Sequence, residues 1–268
     1  MRGYSNRDTT TLALTLTLSF ALSPSTAAAL TLTPSSPNSI RSTASTIAAS
    51  IAAAYAPGTN LLPPPYYWWE SGAGLDSLLT YYHLTGDTTH NAFATTALLS
   101  QASPTTDFLL PGLCTGNDDQ AWWALAAVSA SEFGVPTSGS SGPSWPALAQ
   151  TVFAEQAARW DPARCGGGMK WKIAPADPGW HYKSAIANGL FFQLAARLAR
   201  LTGDAATLGW AERAWNWSRA VGLVDAAFNV YDGTDDAKGA GCVDVDRDLW
   251  SYNAGVFLYG AAVMAEVT

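Results

Sequence analysis

The sequence predicts an all-α fold in which helical hairpins repeat around a solenoid or toroid. Apolar residues recur at helical spacing along most of the chain, as in Leu75, Leu78 and Tyr82. The letters Leu-Thr-Gly-Asp occur at residues 84–87 and again at 201–204, each time between two apolar helices. A recurring unit of helix, glycine turn and capped helix is what an α/α solenoid or toroid requires. Almost no stretch predicts a strand, and the short exceptions are residues 169–173 and 228–231.

The N-terminal residues carry the features of a targeting segment rather than of the fold. Arg2 and Arg7 precede an apolar run over residues 11–22, and the alanines at 27–29 offer a small-residue cleavage site. Residues 1–29 therefore predict a secretory signal peptide, residues 30–38 a Thr/Ser/Pro linker, and residues 39–268 the folded domain. No other stretch reaches the ~18 to 20 apolar residues of a membrane span. We expect a secreted or cell-wall protein with no membrane span.

About eight helices follow in order within this domain. They are predicted at residues 39–55, from the motif at 66–73 to residue 84, and at 88–100, 118–133, 145–160, 185–201, 205–221 and 249–264. Gly86 suits the left-handed position after a helix, and Asp87 is expected to cap the next one.

The composition favours an uncharged, ring-shaped ligand. Charged residues are only 13% of the chain, whereas Trp 12, Tyr 10 and Phe 9 make it unusually aromatic. Sugars suit such a surface because their apolar C–H faces stack on indole rings while their hydroxyls bond to amides and carboxylates. The net charge of −7 argues against nucleic acid or an anionic membrane as a partner.

Asp118 and Asp119 lie side by side at the start of an apolar helix that carries Trp122 and Trp123. Neighbouring carboxylates repel each other, which drives their pKa values apart until one holds a proton while the other is ionised. Because consecutive Cα atoms are about 3.8 Å apart, the two carboxyls can lie within roughly 5 to 6 Å, the separation typical of retaining glycosidases. The alternative is structural: Asp118 caps the helix and Asp119 occupies its first turn.

Three cysteines in a secreted chain allow one disulfide and leave one thiol. Cys165 and Cys242 both lie in glycine-rich loops, so we expect them to pair and Cys114 to stay free. No cysteine pair has zinc spacing and the three histidines are scattered, so we expect no metal site and no cofactor. Asn216-Trp217-Ser218 is a glycosylation sequon, although it falls inside a predicted helix.

Five motifs occur in a fixed order from about residue 38 to the end of the chain. They are Trp68-Trp69-Glu70-Ser71-Gly72-Ala73, Gly116-Asn117-Asp118-Asp119-Gln120, Cys165-Gly166-Gly167-Gly168, Tyr182-Lys183-Ser184-Ala185-Ile186-Ala187-Asn188-Gly189 and Trp250-Ser251-Tyr252-Asn253-Ala254-Gly255. Together they resemble glycoside hydrolase family 76, and within it the fungal endo-α-1,6-mannanases of the Dfg5 and Dcw1 type.

The resemblance implies an (α/α)6 toroid that cleaves α-1,6-linked mannan with retention, or transfers mannan-bearing anchored proteins onto wall glucan. It implies that Asp118 and Asp119 are the catalytic pair. We expect Asp118 to be the nucleophile and Asp119 the acid/base, although the sequence alone leaves the reverse order open. The family toroid has twelve helices and this chain supplies about eight, so we expect a ring that is incomplete at its C-terminal side. We expect a monomer whose partner is α-1,6-mannan or a related wall glycan.

The motifs also supply candidate substrate-binding residues, each with a structural alternative. The candidates are Trp69, Glu70, Asn117, Gln120, Lys183, Asn188, Trp250, Tyr252 and Asn253. Trp69 and Trp250 are alternatively core residues, Glu70 a helix-terminal charge, Asn188 a helix cap and Lys183 a surface lysine.

Two rival functions remain compatible with the sequence. A catalytically inactive wall protein could bind mannan through the same aromatic cleft. A terpene cyclase is another α/α toroid that uses paired aspartates, but the signal peptide and the polar Asn- and Tyr-rich flanks argue against its apolar cavity.

Overall fold

The computed structural model describes residues 31–102, 104–137, 142–238 and 242–268. The elements in chain order are α1 (Pro37–Ala54), α2 (Trp68–Thr85), α3 (Asn91–Gln101), α4 (Asn117–Glu132), α5 (Trp145–Ala158), β1 (Tyr182–Ser184), α6 (Ala185–Thr202), α7 (Ala205–Ala220), β2 (Tyr231–Asp235), β3 (Val245–Leu249) and α8 (Ser251–Val267). The predicted signal peptide at residues 1–29 lies outside the described residues. Helix α1 begins at Pro37, two residues before the predicted start of the folded domain at residue 39.

The helices form two layers, as the predicted toroid requires. Helices α2, α4, α6 and α8 pack side by side in chain order, and each odd-numbered helix from α1 to α7 packs against one or both of its neighbours in the chain. Helix α6 is buried along nearly its whole length because it contacts α4, α5, α7 and α8. The described residues contain eight helices, whereas a closed (α/α)6 ring has twelve.

The repeated Leu-Thr-Gly-Asp turns adopt the expected conformation at both glycines. Gly86 ends α2 at φ 76° and Gly203 ends α6 at φ 71°, in the left-handed region that glycine adopts without steric cost. Asp204 caps α7 by accepting hydrogen bonds from the N–H groups of Ala206 and Thr207.

The predicted cap at Asp87 is wrong. Helix α3 begins at Asn91, and His90 occupies the position before it. Asp87 instead accepts bonds from the Thr89 N–H and hydroxyl and from the Tyr81 hydroxyl. The bonds to Thr89 close a turn of their own, which delays the start of the helix.

A small antiparallel sheet, ordered β1-β2-β3, joins the loops on the side where α6 and α8 begin. The predicted strand at residues 169–173 is wrong, because this segment forms no strand and makes only an isolated bridge between Gly116 and Lys172. The strand predicted at 228–231 begins instead at Tyr231. The sequence did not predict β3, because Val-Asp-Arg-Asp-Leu is mostly charged and lies mostly exposed in the structure.

The structure joins Cys165 to Cys242, whose Cα atoms are 5.5 Å apart. Cys114 is a free, partly buried thiol. No helix in the described part of the chain combines the length and the apolar character needed to cross a membrane.

Candidate active site

A cleft of about 450 Å³ opens at the start of α4, where the aspartate pair lies. Its lining residues are Tyr67, Trp68, Trp69, Leu113, Thr115, Asp118, Asp119, Trp171 and Lys172. Tyr67 is 72% exposed and lies at the start of α2, and Trp69 stacks on Trp122 of α4 with ring centroids 5.5 Å apart. The two acids therefore share a cleft whose wall is largely aromatic.

Asp119, and not Asp118, caps helix α4. The helix begins at Asn117, and Asp119 Oδ2 accepts bonds from the Gly116 N–H at 2.9 Å and the Thr115 N–H at 3.3 Å. A Cβ on Gly116 would collide with Asp118 Oδ1 and stand 3.0 Å from Asp119 Oδ2. Both carboxyls therefore fold back over the bare Cα of Gly116, and only glycine leaves room for them.

Asp118 is held by a group from a distant part of the chain. Its Oδ2 accepts a hydrogen bond of 2.9 Å from the Trp171 indole Nε1–H, whereas its Oδ1 is buried without a hydrogen-bond partner among the described residues. Burial of the carboxyl, together with the charge of Asp119, raises the pKa of Asp118 to about 7. The Trp171 bond and the Lys172 charge act in the opposite direction. The raised pKa brings the titration of Asp118 from the acid range towards neutral pH.

Backbone hydrogen bonds align the loop at residues 169–173 with the start of α4. The Asn117 N–H donates to the Trp171 carbonyl at 2.9 Å, and the Ile173 N–H donates to the Thr115 carbonyl at 3.0 Å. These bonds place Trp171 beside Asp118, although 53 residues separate them in sequence.

Trp250 and Tyr252 form a second aromatic surface at the start of α8. They are 51% and 46% exposed, and their rings stack with centroids 6.1 Å apart. Burial raises the pKa of Tyr252, and the negative charges of Asp232 and Asp118 raise it further. Because half of the Trp250 side chain is exposed, the alternative of Trp250 as a core residue is wrong.

Asp232 lies near the second aromatic surface, where its negative charge acts on Tyr252. The Tyr182 hydroxyl donates to its Oδ2 at 2.7 Å, and the Asn253 side-chain amide donates to its Oδ1 at 3.1 Å. Asn253 itself is fully buried, so it positions Asp232. The sequence around Asp232, Tyr-Asp-Gly, is more typical of a turn than of a sugar-binding site.

Two of the proposed sugar-binding residues do not reach the cleft. Lys183 is fully buried, and its ammonium donates to the carbonyls of Asp161, Arg164 and Gly167. Asn188 is also fully buried, and its amide bonds both backbone groups of Met169 as well as the Ser184 carbonyl. Both side chains stabilise the glycine-rich loop at residues 165–168 and the segment after it.

Three more candidates have structural contacts in place of a sugar. Asn117 is buried and its side chain donates to the Lys170 carbonyl. Gln120 is fully buried and bonds the Asp107 carbonyl, Glu155 and Arg159. The Glu70 carboxylate accepts a bond of 2.6 Å from the Tyr67 N–H and so caps α2. Of the predicted binding residues, Trp250 and Tyr252 are exposed, and partly exposed Trp69 lines the cleft.

A larger groove of about 930 Å³ lies between α5 and α7, away from the aspartate pair. Trp160, Trp210 and Trp217 line it, and exposed Asn216 of the sequon lies at its edge. Its lining residues in the described part of the chain include no Asp or Glu. The smaller cleft is therefore the candidate active site, because it alone of the two holds an acid and a base. No group of three potential metal ligands occurs among the described residues.

Comparison with known proteins agrees with this geometry. Residues 39–268 match the sequence model of Glycosyl hydrolase family 76. The chain belongs to glycosyl hydrolase family 76. This confirms the resemblance carried by the five motifs.

Relatives of the chain share both its sequence and its fold. It is 39% identical over 200 residues to the mannan endo-1,6-alpha-mannosidase DCW1 of Eremothecium gossypii, covering 72% of this chain and 44% of that protein. The crystal structure of Dfg5 from Chaetomium thermophilum in complex with glucosamine matches with a TM-score of 0.83 and 38% identity, covering 87% of this chain and 60% of that one. The chain thus spans about half the length of the curated relatives it matches.

A more distant structure supports the fold alone. The GH76A alpha-1,6-mannanase from a Salegentibacter species matches with a TM-score of 0.68 and 21% identity, covering 85% of this chain and 65% of that one. The predicted all-α toroidal class is confirmed by these likenesses, and the three-stranded sheet is an addition to it.

Proposed function

We propose that the chain is an endo-acting retaining glycosidase that cleaves α-1,6-mannosidic linkages in mannan, in the turnover of cell-wall polysaccharide. The observation that carries this proposal is the pair Asp118 and Asp119, side by side in a cleft walled by aromatic rings. The two acids occupy one site, and the pKa of Asp118 is raised. Names of relatives such as DCW1 support the linkage, and uncharged rings suit the walls of the cleft.

The reaction is a double displacement in which both aspartates act in turn. In the first step Asp118 attacks the anomeric carbon while Asp119 gives its proton to the departing 6-oxygen. In the second step Asp119 takes a proton from an incoming water, whose oxygen displaces Asp118 from the sugar. Two inversions at one carbon retain its configuration, and no cofactor is required.

Trp69, Trp250, Tyr252 and Asp232 have the chemistry to bind the sugar chain. The exposed rings offer faces for the apolar sides of pyranoses. The Asp232 carboxylate, fixed by Tyr182 and Asn253, can accept hydrogen bonds from sugar hydroxyls. Aromatic surfaces at the starts of both α2 and α8 suit a ligand several sugars long, which favours cleavage within a chain.

The test is digestion of linear α-1,6-linked manno-oligosaccharides by the purified chain, with products separated by size. Appearance of shorter internal fragments supports an endo-acting hydrolase, and products longer than the substrate indicate that a sugar hydroxyl replaces water in the second step. Saturable binding without any product identifies the inactive mannan-binding alternative and contradicts the proposal. Asp244→Asn is the matched control for variants of the two aspartates, because the exposed carboxylate of Asp244 makes one ion pair among the described residues, with exposed Lys238.

We also propose that Asn216 carries an N-linked glycan in the secreted protein. Its side chain is exposed on α7, where a glycan can project into solvent. A mass shift on glycosidase treatment that disappears in Asn216→Gln tests this assignment.

A further inference from the structure

Trp171 is the one described side chain that donates a hydrogen bond to Asp118. We propose that Trp171 is a positioning residue: its indole N–H holds the Asp118 carboxyl in the orientation that the reaction needs. This inference rests on the proposed function for its catalytic meaning. The hydrogen bond itself can be tested without substrate.

The main chain of Trp171 is fixed on both sides. Its N–H donates to the Tyr182 carbonyl at 2.7 Å, and its carbonyl accepts the Asn117 N–H at 2.9 Å. Asn117 immediately precedes Asp118, so the donor and the acceptor of the indole bond are tied to each other through one further backbone bond. Movement of one relative to the other would break both.

The ring of Trp171 is fixed as well. The Lys172 ammonium lies 4.1 Å from the ring centroid, within the range of a cation–π contact, and donates to the Thr115 hydroxyl at 3.0 Å. Gly179 packs against another part of the ring, where a Cβ would stand 2.7 Å from the Trp171 Cε3 atom. A side chain at position 179 would therefore push the indole from its place.

The consequence for Asp118 follows from which oxygen is bonded. The indole occupies Oδ2 and restrains rotation of the carboxyl, while Oδ1 has no partner among the described residues. A donor to the carboxylate also favours the ionised form. Loss of the indole N–H should both loosen the carboxyl and raise the pKa of Asp118.

Trp171→Phe removes the N–H and keeps an aromatic ring in the cleft. We expect kcat on α-1,6-linked manno-oligosaccharides to fall about tenfold while KM changes less than twofold. The titration midpoint of Asp118, followed by the ¹³C resonance of its carboxyl, should rise by about one pH unit. Trp145→Phe is the matched control: its buried indole donates to the Val135 carbonyl at 2.7 Å, so its loss should leave the Asp118 midpoint unchanged.

If Trp171 only stacked on the sugar, Trp171→Phe would raise KM and leave both kcat and the Asp118 midpoint unchanged. That result in a folded Trp171→Phe protein would overturn the proposal.

A measurement on the unmutated protein covers the case in which the variant does not fold. The indole ¹H–¹⁵N resonance of Trp171 should shift with pH at the same midpoint as the Asp118 carboxyl. An indole resonance that stays constant while Asp118 titrates would contradict the hydrogen bond. Neither titration uses substrate. A chain that fails to cleave mannan would therefore refute the proposed function, while the hydrogen bond from Trp171 to Asp118 would still be tested by the titrations.

Discussion

Lys170 and Trp171 are neighbours in sequence, yet each contacts a carboxylate in a different electrostatic setting. On the Trp171 side, Asp118 adjoins a second acid and forms no ion pair with any described residue, so burial and the Asp119 charge raise the pKa of Asp118. On the Lys170 side, Asp236 is fully buried but bonds Lys170.

Burial alone would raise the pKa of Asp236, but its bonds from Lys170 and His181 and the nearby positive charges lower it. Asp161 also has a lowered pKa, because Lys183 and Lys170 outweigh its burial. A buried acid with its own cation stabilises the loops around it, whereas a buried acid beside another acid costs stability and can accept or release a proton near neutral pH. The difference separates a structural network from a candidate catalytic pair.

The largest expected effect is loss of turnover when either member of the pair is made neutral. Asp118→Asn and Asp119→Asn should each reduce kcat/KM on α-1,6-linked manno-oligosaccharides by about 10⁴-fold or more, because each removes a group needed in both chemical steps. Steady-state kinetics with Asp244→Asn as the control measures this. Either variant retaining most of its activity would place the chemistry elsewhere.

The pH dependence of kcat/KM should show which of the two aspartates is the nucleophile and which is the proton donor. With Asp118 as the nucleophile its carboxylate form is active, so the rate should rise with pH as Asp118 ionises near pH 7. A rate that instead declines through this pH would reverse the roles and make Asp118 the proton donor.

In the structural network, Asp236→Asn should destabilise the fold by about 3 kcal/mol at pH 7, because Lys170 and Lys183 would lose a buried counter-charge. The pKa of Asp236 is lowered on folding, so its contribution is present above the unfolded value of 3.8 and is lost as the pH falls below it. The difference between the proteins should therefore shrink in acid. Urea unfolding at several pH values measures it, and kcat of the folded variant should change little.

The smallest expected effect is a gain in stability when Asp118 is made neutral, whereas Asp236→Asn loses stability. The folded pKa of Asp118 lies above its unfolded value, so the protonated form is favoured by folding and stability is lost as the pH rises from about 4 to about 7. Asp118→Asn should therefore be more stable than the unmutated protein at pH 8 and about equal to it at pH 4. A variant less stable at pH 8 would contradict the raised pKa.

The sequence was most informative where local rules decide structure. Helical periodicity, the Gly86 and Gly203 turns and the adjacent acids at the start of α4 are all properties of short segments, and they predicted the class of fold and the position of the pair. The predictions for Lys183 and Asn188 were wrong because their partners are backbone carbonyls of loops folded around them, which no local pattern shows.

Contacts between distant residues fix the positions of Asp232 and Trp171, which the sequence did not predict. Asp232 is held by Tyr182 and Asn253, which are 50 and 21 residues away. The bond from Trp171 to Asp118 spans 53 residues. Such pairs depend on how the sheet and the loop at residues 169–173 pack against α4, which becomes visible only in three dimensions.

In the proposed mechanism the two neighbouring acids act as nucleophile and acid/base on one anomeric carbon. The most direct test is ¹H NMR of the anomeric protons during the first minutes of cleavage of an α-1,6-linked mannotetraose by the purified chain. Because a double displacement retains the configuration, we expect the new reducing end to appear first as the α-anomer and then to mutarotate. Initial release of the β-anomer would contradict it, because a single displacement inverts the carbon and needs no covalent intermediate on Asp118.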